Sequence, residues 1–250
     1  MTGKTDLDKG LLRPIKRKND PVVGPDAILV MIPSELDYLV KLSQAKKMGR
    51  FDMNSFDLYQ TKDGTEGPLT LSGPFLGAPQ AVIGMEKIVA LGAERIWVLG
   101  WCGSLQPDLR IGDLIIPTGA LSEEGTSRHY PIGDRVPATD QELNKILGEA
   151  LQKKGQPASK GTVWTTDAPY RETPRKVKKY QKRGTLAVEM EMSALMTLAI
   201  YRKVKLAGLL VLSDELFDLK WHSGFSSPKL KESTRFAGEL LLELVVGLRG

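Results

Sequence analysis

Apolar positions along this chain fall into short unbroken runs that alternate with stretches of helical periodicity. Ala27 to Ile32 is an apolar run consistent with a buried strand. Ser34, after Pro33, is placed to N-cap a helix reaching about Met48. Phe56 to Tyr59 and Leu69 to Leu71 read as short strands, with Asp63-Gly64 between them as a hairpin signal. From Pro79 to Leu91 the apolar residues Val82, Ile83, Met85, Ile88 and Val89 recur at helical spacing, and Gly92 closes the helix. Arg95 to Leu99 predicts a strand broken by Gly100, and Asp113 to Pro117 another. Asp140 to Lys154 predicts a helix capped by Asp140 and ended by Gly155. Gly161 to Trp164 is a strand, Thr173-Pro174 opens a helix, and Thr185 to Val188 is a strand. Glu191 to Lys203 predicts a helix, Ala207 to Leu212 a strand, Ser213 to Pro228 a long loop, and Lys229 to Leu248 a final amphipathic helix.

Strands alternating with helices argue for a layered α/β domain whose parallel or mixed sheet is covered on both faces. Residues 1–25 are polar, carry Pro14, Pro21 and Pro25, and read as an N-terminal arm. Residues 26–250 read as one domain, with no internal repeat. In such sheets, sites form where strands hand over to loops at their carboxyl ends. Four of those ends are polar or glycine-rich: Pro33-Ser34-Glu35, Gly100-Trp101-Cys102-Gly103-Ser104, Glu189-Met190-Glu191 and Ser213-Asp214-Glu215.

Composition narrows the setting. One cysteine, Cys102, can form no internal disulfide, and the N-terminus has no apolar signal segment. The longest apolar run, Leu206 to Leu212, is far short of the roughly 20 residues of a membrane helix. The expectation is a cytoplasmic protein with no membrane partner. The 35 basic and 30 acidic residues leave a net charge of +5, enough to favour small anions. The basic residues cluster at Arg13 to Lys18 and Arg175 to Arg183 without the interleaved aromatics of a single-strand binder, so no nucleic acid is expected. Two histidines and one cysteine offer no metal-ligand spacing.

Taken singly, each polar strand end has a plain reading: Glu191 and Glu35 as first-turn helix residues, Asp214 as a turn cap, Cys102 as a small buried residue. Order and spacing together carry more. Gly77-Ala78-Pro79 with Glu86 on the next helix, Gly100-Trp101-Cys102-Gly103-Ser104-Leu105, Ile111-Gly112-Asp113-Leu114-Ile115-Ile116, then Val188-Glu189-Met190-Glu191 and Ser213-Asp214 follow one another from about Ala27 to the C-terminus. In that order they resemble the nucleoside phosphorylases and related nucleosidases. The stretches Glu124-Gly125-Thr126-Ser127 and Trp164 to Arg171 resemble the phosphorylase side of that family. The resemblance implies a three-layer α/β/α sandwich with a mixed, partly barrel-like sheet. It also implies a homo-oligomer, a dimer or hexamer, acting on a small-molecule nucleoside.

Breaking a C–N glycosidic bond passes through an oxocarbenium-like sugar. The enzyme must hold the ribose, stabilise the departing base and supply a nucleophile. By the resemblance, Glu191 accepts hydrogen bonds from the 2′ and 3′ hydroxyls, with Met190 against the sugar and Glu189 nearby. Asp214 protonates the base at N7, which points to purines. Base contacts fall to Trp164, Thr166, Tyr170 and Arg171.

The nucleophile region departs from the family. Where family phosphorylases carry an arginine and a hydroxyl for phosphate, this chain has Val98 and Trp101. Met31-Ile32-Pro33-Ser34-Glu35 stands where the family has a Gly-Asp-Pro loop. Inorganic phosphate remains the implied co-substrate, with no other cofactor, if it is held elsewhere: by Arg128, by Arg50 or by a neighbouring subunit. Alternatively Glu35 activates water, as in nucleosidases, and free ribose is released. A nucleoside-binding protein without catalysis is the remaining reading.

Overall fold

A computed structural model describes residues 10–51, 55–62 and 67–248, without the side chain of Arg50. The Asp63-Gly64 turn therefore lies outside the described residues.

Ten strands share one mixed sheet. They are β1 (Asp26–Val30), β2 (Lys46–Phe51), β3 (Phe56–Gln60), β4 (Thr70–Gly73), β5 (Arg95–Ser104), β6 (Leu114–Ser122), β7 (Ser159–Thr165), β8 (Ala187–Glu189), β9 (Lys205–Glu215) and β10 (His222–Ser223). Their order is β10-β9-β6-β7-β8-β5-β1-β4-β3-β2, and β9 also pairs with β5. That extra pairing closes β9, β6, β7, β8 and β5 into a small barrel, with the remaining strands as an open extension. β1 lies parallel to β5 and β4, while β8 runs antiparallel to β5.

The helices are α1 (Pro33–Leu42), α2 (Ala78–Leu91), α3 (Gln141–Lys153), α4 (Pro174–Gln181), α5 (Met192–Arg202) and α6 (Pro228–Gly247). They cover both faces, and alternate strand residues feed the two cores. Ala27, Leu29, Ile96 and Val98 pack with α2 and α5, whereas Ile28, Val30, Trp97 and Leu99 pack with α1, α3 and α6. The layered sandwich with a partly barrel-like mixed sheet is the expected fold. α2 and α5 are clamped by Arg202, whose guanidinium donates to both carboxylate oxygens of Glu86 at 2.7 and 2.8 Å.

Local signals set several boundaries. Asp140 caps α3 by accepting from the Leu143 N–H at 3.0 Å, and Gly92 and Gly155 end their helices with positive φ. Ser34 does not cap α1. Pro33 takes the first helical position and Ile32 the cap, without a side-chain bond. The helix expected to reach Met48 stops at Leu42, because Gln44 turns left-handed (φ 53°) and Lys46–Phe51 joins β3 as an edge strand. Gly100 does not break its strand. β5 continues to Ser104 because β9 pairs with it along its whole length. Part of the expected loop after Ser213 pairs back onto β9 as β10.

The described part of the arm is tied to the sheet and α2. Lys87, itself buried, donates to the Ile15 carbonyl at 2.8 Å and pairs with Asp20 at 2.5 Å. Glu94 and Arg95 both donate backbone N–H groups to the Pro25 carbonyl. No helix among the described residues is long and apolar enough to cross a membrane.

One buried carboxyl lies between α1 and α6. Glu35 is 4% exposed, and its Oε1 has no hydrogen-bond partner. It fits only because Gly238 has no side chain: a Cβ there would lie 2.8 Å from that oxygen. Burial raises its pKa from 4.5 to about 7, with the Arg235 charge opposing and Glu239 adding to the rise. A carboxyl raised in the folded state contributes stability below its unfolded pKa and loses it as pH climbs through the folded one. Glu35→Gln should therefore gain melting temperature over the parent as pH rises from 5 to 8.5, by about 3 °C or more at the upper end. Melting curves of both proteins across that range test it, and a pH-independent difference would refute it.

Candidate active site

The carboxyl ends of β1, β5, β8 and β9 open onto a cavity of about 720 Å³. Glu189, Met190, Glu191, Asp214, Trp101, Cys102, Gly103 and Tyr170 all line it, so residues spread over more than a hundred positions meet there. Met31, Phe75, Leu76, Leu216, Trp221 and Phe225 complete its apolar walls. Glu172 adds a fourth carboxylate, and no lysine, arginine or histidine lines the cavity among the described residues.

The turn from β8 into α5 is built on Glu189. Its carboxylate accepts the Glu191 and Met192 backbone N–H groups at 2.6 Å each and the Thr165 hydroxyl. It thus satisfies amides at the start of α5 that have no partner inside the helix. Glu191 occupies the N-cap position without capping its own helix, which frees its side chain to point into the cavity. There its Oε1 accepts the Gly77 N–H at 2.6 Å. Gly77 has φ 81°, a left-handed conformation that glycine adopts without strain, and it directs that amide at Glu191 from the start of α2. Burial, then the neighbouring charge of Glu189, pushes the Glu191 carboxyl well above the usual carboxylate range. Hydroxyl donors of a ligand would favour its ionised form, since each stabilises the charge that burial penalises.

Asp214 reaches the cavity through an irregularity. The β5–β9 register shifts between Cys102 and Gly103, so that Cys102 pairs with Leu212 and Gly103 with Asp214. Ser213 is the extra residue, and the bulge re-aims the side chain that follows it. Asp214 Oδ1 accepts from the Ser213 hydroxyl at 2.7 Å and Oδ2 from the Trp221 indole at 3.0 Å. Gly103 is needed for this approach: a Cβ there would come within 2.6 Å of Leu216 and 3.0 Å of Asp214 Oδ2. Burial raises the Asp214 pKa, and the two donors oppose the rise. Glu172 is raised to about 7 by burial and by the charge of Asp214.

Other expected contacts lie elsewhere. Trp164 is fully buried and stacks on Tyr180 with centroids 4.4 Å apart, so it is core rather than wall. Thr166 is buried; its N–H donates to the Glu189 carbonyl and its hydroxyl accepts from the Ala168 N–H, shaping the loop behind the site. Arg171 is exposed and does not line the cavity, although its neighbour Tyr170 does. Arg128 sits in a short 3₁₀ turn, Thr126–His129, outside the lining. Gly100 faces Leu210 and Met31 rather than the cavity. Glu35 is absent from the lining, enclosed between α1 and α6, a placement that does not suit a general base for water at this site. Val98 is core, and Trp101 packs on Phe225 (centroids 5.6 Å) while its indole donates to Thr234 at 2.9 Å. Cys102 is buried, its thiol pushed well up, so it is no nucleophile at neutral pH.

Gly77, Trp221 and Phe225 escaped sequence reasoning as functional residues. Gly77 stood in a motif, but its amide's target follows only from the fold. For the two aromatics, the one available signal was their exposure-prone place after Asp214.

Several known proteins are similar to this chain. The guanosine phosphorylase of Halorubrum lacusprofundi is 29% identical over 173 residues, covering 69% of this chain and 71% of that protein. A DeoD-type purine nucleoside phosphorylase of Bacillus cereus is 34% identical over 151 residues, covering 60% and 64%. The purine nucleoside phosphorylase of Toxoplasma gondii, solved in complex with immucillin-H, superposes with a TM-score of 0.82 at 22% identity over 96% of this chain and 98% of that one. The uridine phosphorylase of Vibrio fischeri superposes with a TM-score of 0.78 at 22% identity, covering 89% and 92%. At such identities the two superpositions speak for the fold. The family model of the phosphorylase superfamily matches residues 25–245. With that match spanning all ten strands and the whole cavity, the chain belongs to the phosphorylase superfamily.

Proposed function

We propose that this protein is a nucleoside phosphorylase that splits purine nucleosides into free base and ribose 1-phosphate. The observation that carries the reading is the meeting of Glu191, held by the Gly77 amide, and Asp214, held by two donors, on one cavity. Membership of the superfamily and the names of the curated relatives support phosphorolysis over hydrolysis.

In this reading Glu191 accepts the ribose hydroxyls, Met190 packs against the sugar, and Glu189 keeps the turn that aims Glu191. A phosphate oxygen forms a bond to C1′ as the bond from C1′ to the base breaks. The electron pair leaves with the base, and Asp214 delivers a proton to N7. Burial raises the proton affinity of Asp214, the direction this role requires. Tyr170 and Glu172 flank the base. Inorganic phosphate is the co-substrate, and since the described lining holds no cation, we assign its binding charge to a neighbouring copy in a dimer or hexamer. The protein acts in the cytoplasm on a free nucleoside.

Incubation with guanosine, inosine, adenosine and uridine, with and without phosphate, tests the reaction. Ribose 1-phosphate formed from a purine nucleoside only when phosphate is present is the expected result, and free ribose without phosphate would overturn it. Glu191→Ala should lower kcat/KM for any ribonucleoside by about a thousandfold. Near-parental activity would remove Glu191 from the ribose. Asp214→Asn should cost about a hundredfold on purines and far less on uridine, whose base has no N7 to protonate. Equal losses on the two bases would rule out a role at N7.

A further inference from the structure

Asp214 is not held by its own strand alone. The segment after it turns back, and β10 pairs His222 with Glu215 and Ser223 with Asp214. The Gly224 N–H then donates to the Ser213 carbonyl at 2.9 Å. This return brings Trp221 to the cavity mouth, where the residue is 63% exposed but its N–H turns inward onto Asp214 Oδ2. The ring neighbours Phe225 at 6.4 Å, Phe225 packs on Trp101, and Trp101 is bonded to Thr234 of α6. A chain of aromatics therefore fixes the indole against the cavity wall.

The two donors to Asp214 differ in kind. An indole N–H can only donate, whereas a serine hydroxyl donates or accepts. Ser213 has a second acceptor within reach, the Cys102 carbonyl at 3.2 Å. We propose, on the reading given above, that Trp221 is a positioning residue for departure of the base: its indole N–H holds Oδ2 as the permanent acceptor and so keeps the transferable proton of Asp214 on Oδ1. When Asp214 is neutral, the Ser213 hydroxyl donates to Cys102 and leaves Oδ1–H free to meet N7. As the bond to the base breaks, that proton passes to N7. The Ser213 hydroxyl then swings to Oδ1, and the new carboxylate is met by donors at both oxygens. Asp214 gives one proton, the base leaves with the electron pair of the broken bond, and a phosphate oxygen supplies the pair of the new bond to C1′.

Other titratable groups face Asp214. Glu172 and Glu189 stand on the cavity wall and Cys102 on β5. On its own segment, Glu215 pairs with Arg110 at 3.0 Å and His222 with Asp218 at 2.8 Å. Trp221→Phe leaves all of these in place, keeps an aromatic ring at the site and removes the N–H along with part of the indole. Loss of a donor to the carboxylate favours the neutral acid, so the alkaline limb of the kcat profile should move to higher pH.

The test compares inosine with 7-methylguanosine, whose base already carries positive charge at N7 and leaves without a proton. In Trp221→Phe, kcat on inosine should fall about tenfold with KM changed less than about threefold, and the alkaline limb should shift upward. On 7-methylguanosine the same variant should lose far less. Trp221→His, which keeps a ring N–H, should restore part of the rate on inosine. Equal losses on both substrates, or an unshifted limb, would show that Trp221 merely supports the loop and overturn the inference. A parent protein that cleaves neither nucleoside would overturn the functional reading itself, and the inference with it. A parent that cleaves both while Trp221→Phe is unchanged sinks the inference alone.

Discussion

The carboxylate of Glu189 is the point on which the site depends. It is buried, and a buried charge is tolerated only where donors replace the water it lost. Here the donors are two amides at the start of α5 and the Thr165 hydroxyl. The same bonds that solvate Glu189 also begin the helix and set the backbone at Glu191. Thr165 in turn accepts the Ser193 N–H, and the Ser193 hydroxyl donates to Glu124, which Ser122 and Ser127 also hold. Thus Glu124-Gly125-Thr126-Ser127 serves the site as a support behind α5 rather than as wall. Replacing any one member leaves a buried acceptor or donor short, so the network constrains the orientation of Glu191 from well outside the cavity.

The second carboxylate is delivered by strand geometry. β5 and β9 stay paired for their full length, and the one irregularity in that ladder falls at Ser213, next to Asp214. A regular strand would carry the side chain at this position to the opposite face. Gly103 then removes the bulk that would block the approach. Glu191 and Asp214 are therefore positioned by backbone features at strand ends, and burial raises the proton affinity of both, with the Glu189 charge adding to the rise at Glu191.

Much of this was legible in the chain because the relevant physics is local. Unbroken apolar runs marked β1 and β9, the spacing of Val82, Met85 and Ile88 marked α2, and Asp140 with Gly155 bounded α3. Glu189, Met190, Glu191, Asp214 and the segment from Trp101 to Gly103 stand out in the sequence, which does not show that they meet. The misses share a cause. β2 is a polar edge strand that forms only because β3 is beside it, and β10 is two residues held by β9. Gly100 reads as a breaker until a partner strand runs past it. Trp164 and Arg171 adjoin Thr165 and Tyr170 in sequence, yet the alternation of a strand and the turn after it send them to the core and to solvent.

The sequence by itself determined the alternation of strands and helices, the family motifs in their order, and which acids stand at strand ends. Those are properties of neighbours a few bonds apart, and of side chains whose chemistry does not depend on the fold. Tertiary structure decided which of those ends share one cavity, and that Glu35 is enclosed between two helices instead of facing it. It also decided that the Gly77 amide and the Trp221 indole, 114 and 7 residues from their carboxylates, supply the hydrogen bonds. Hydrogen bonding and desolvation act across space, and the distances that set them exist only once the sheet has closed.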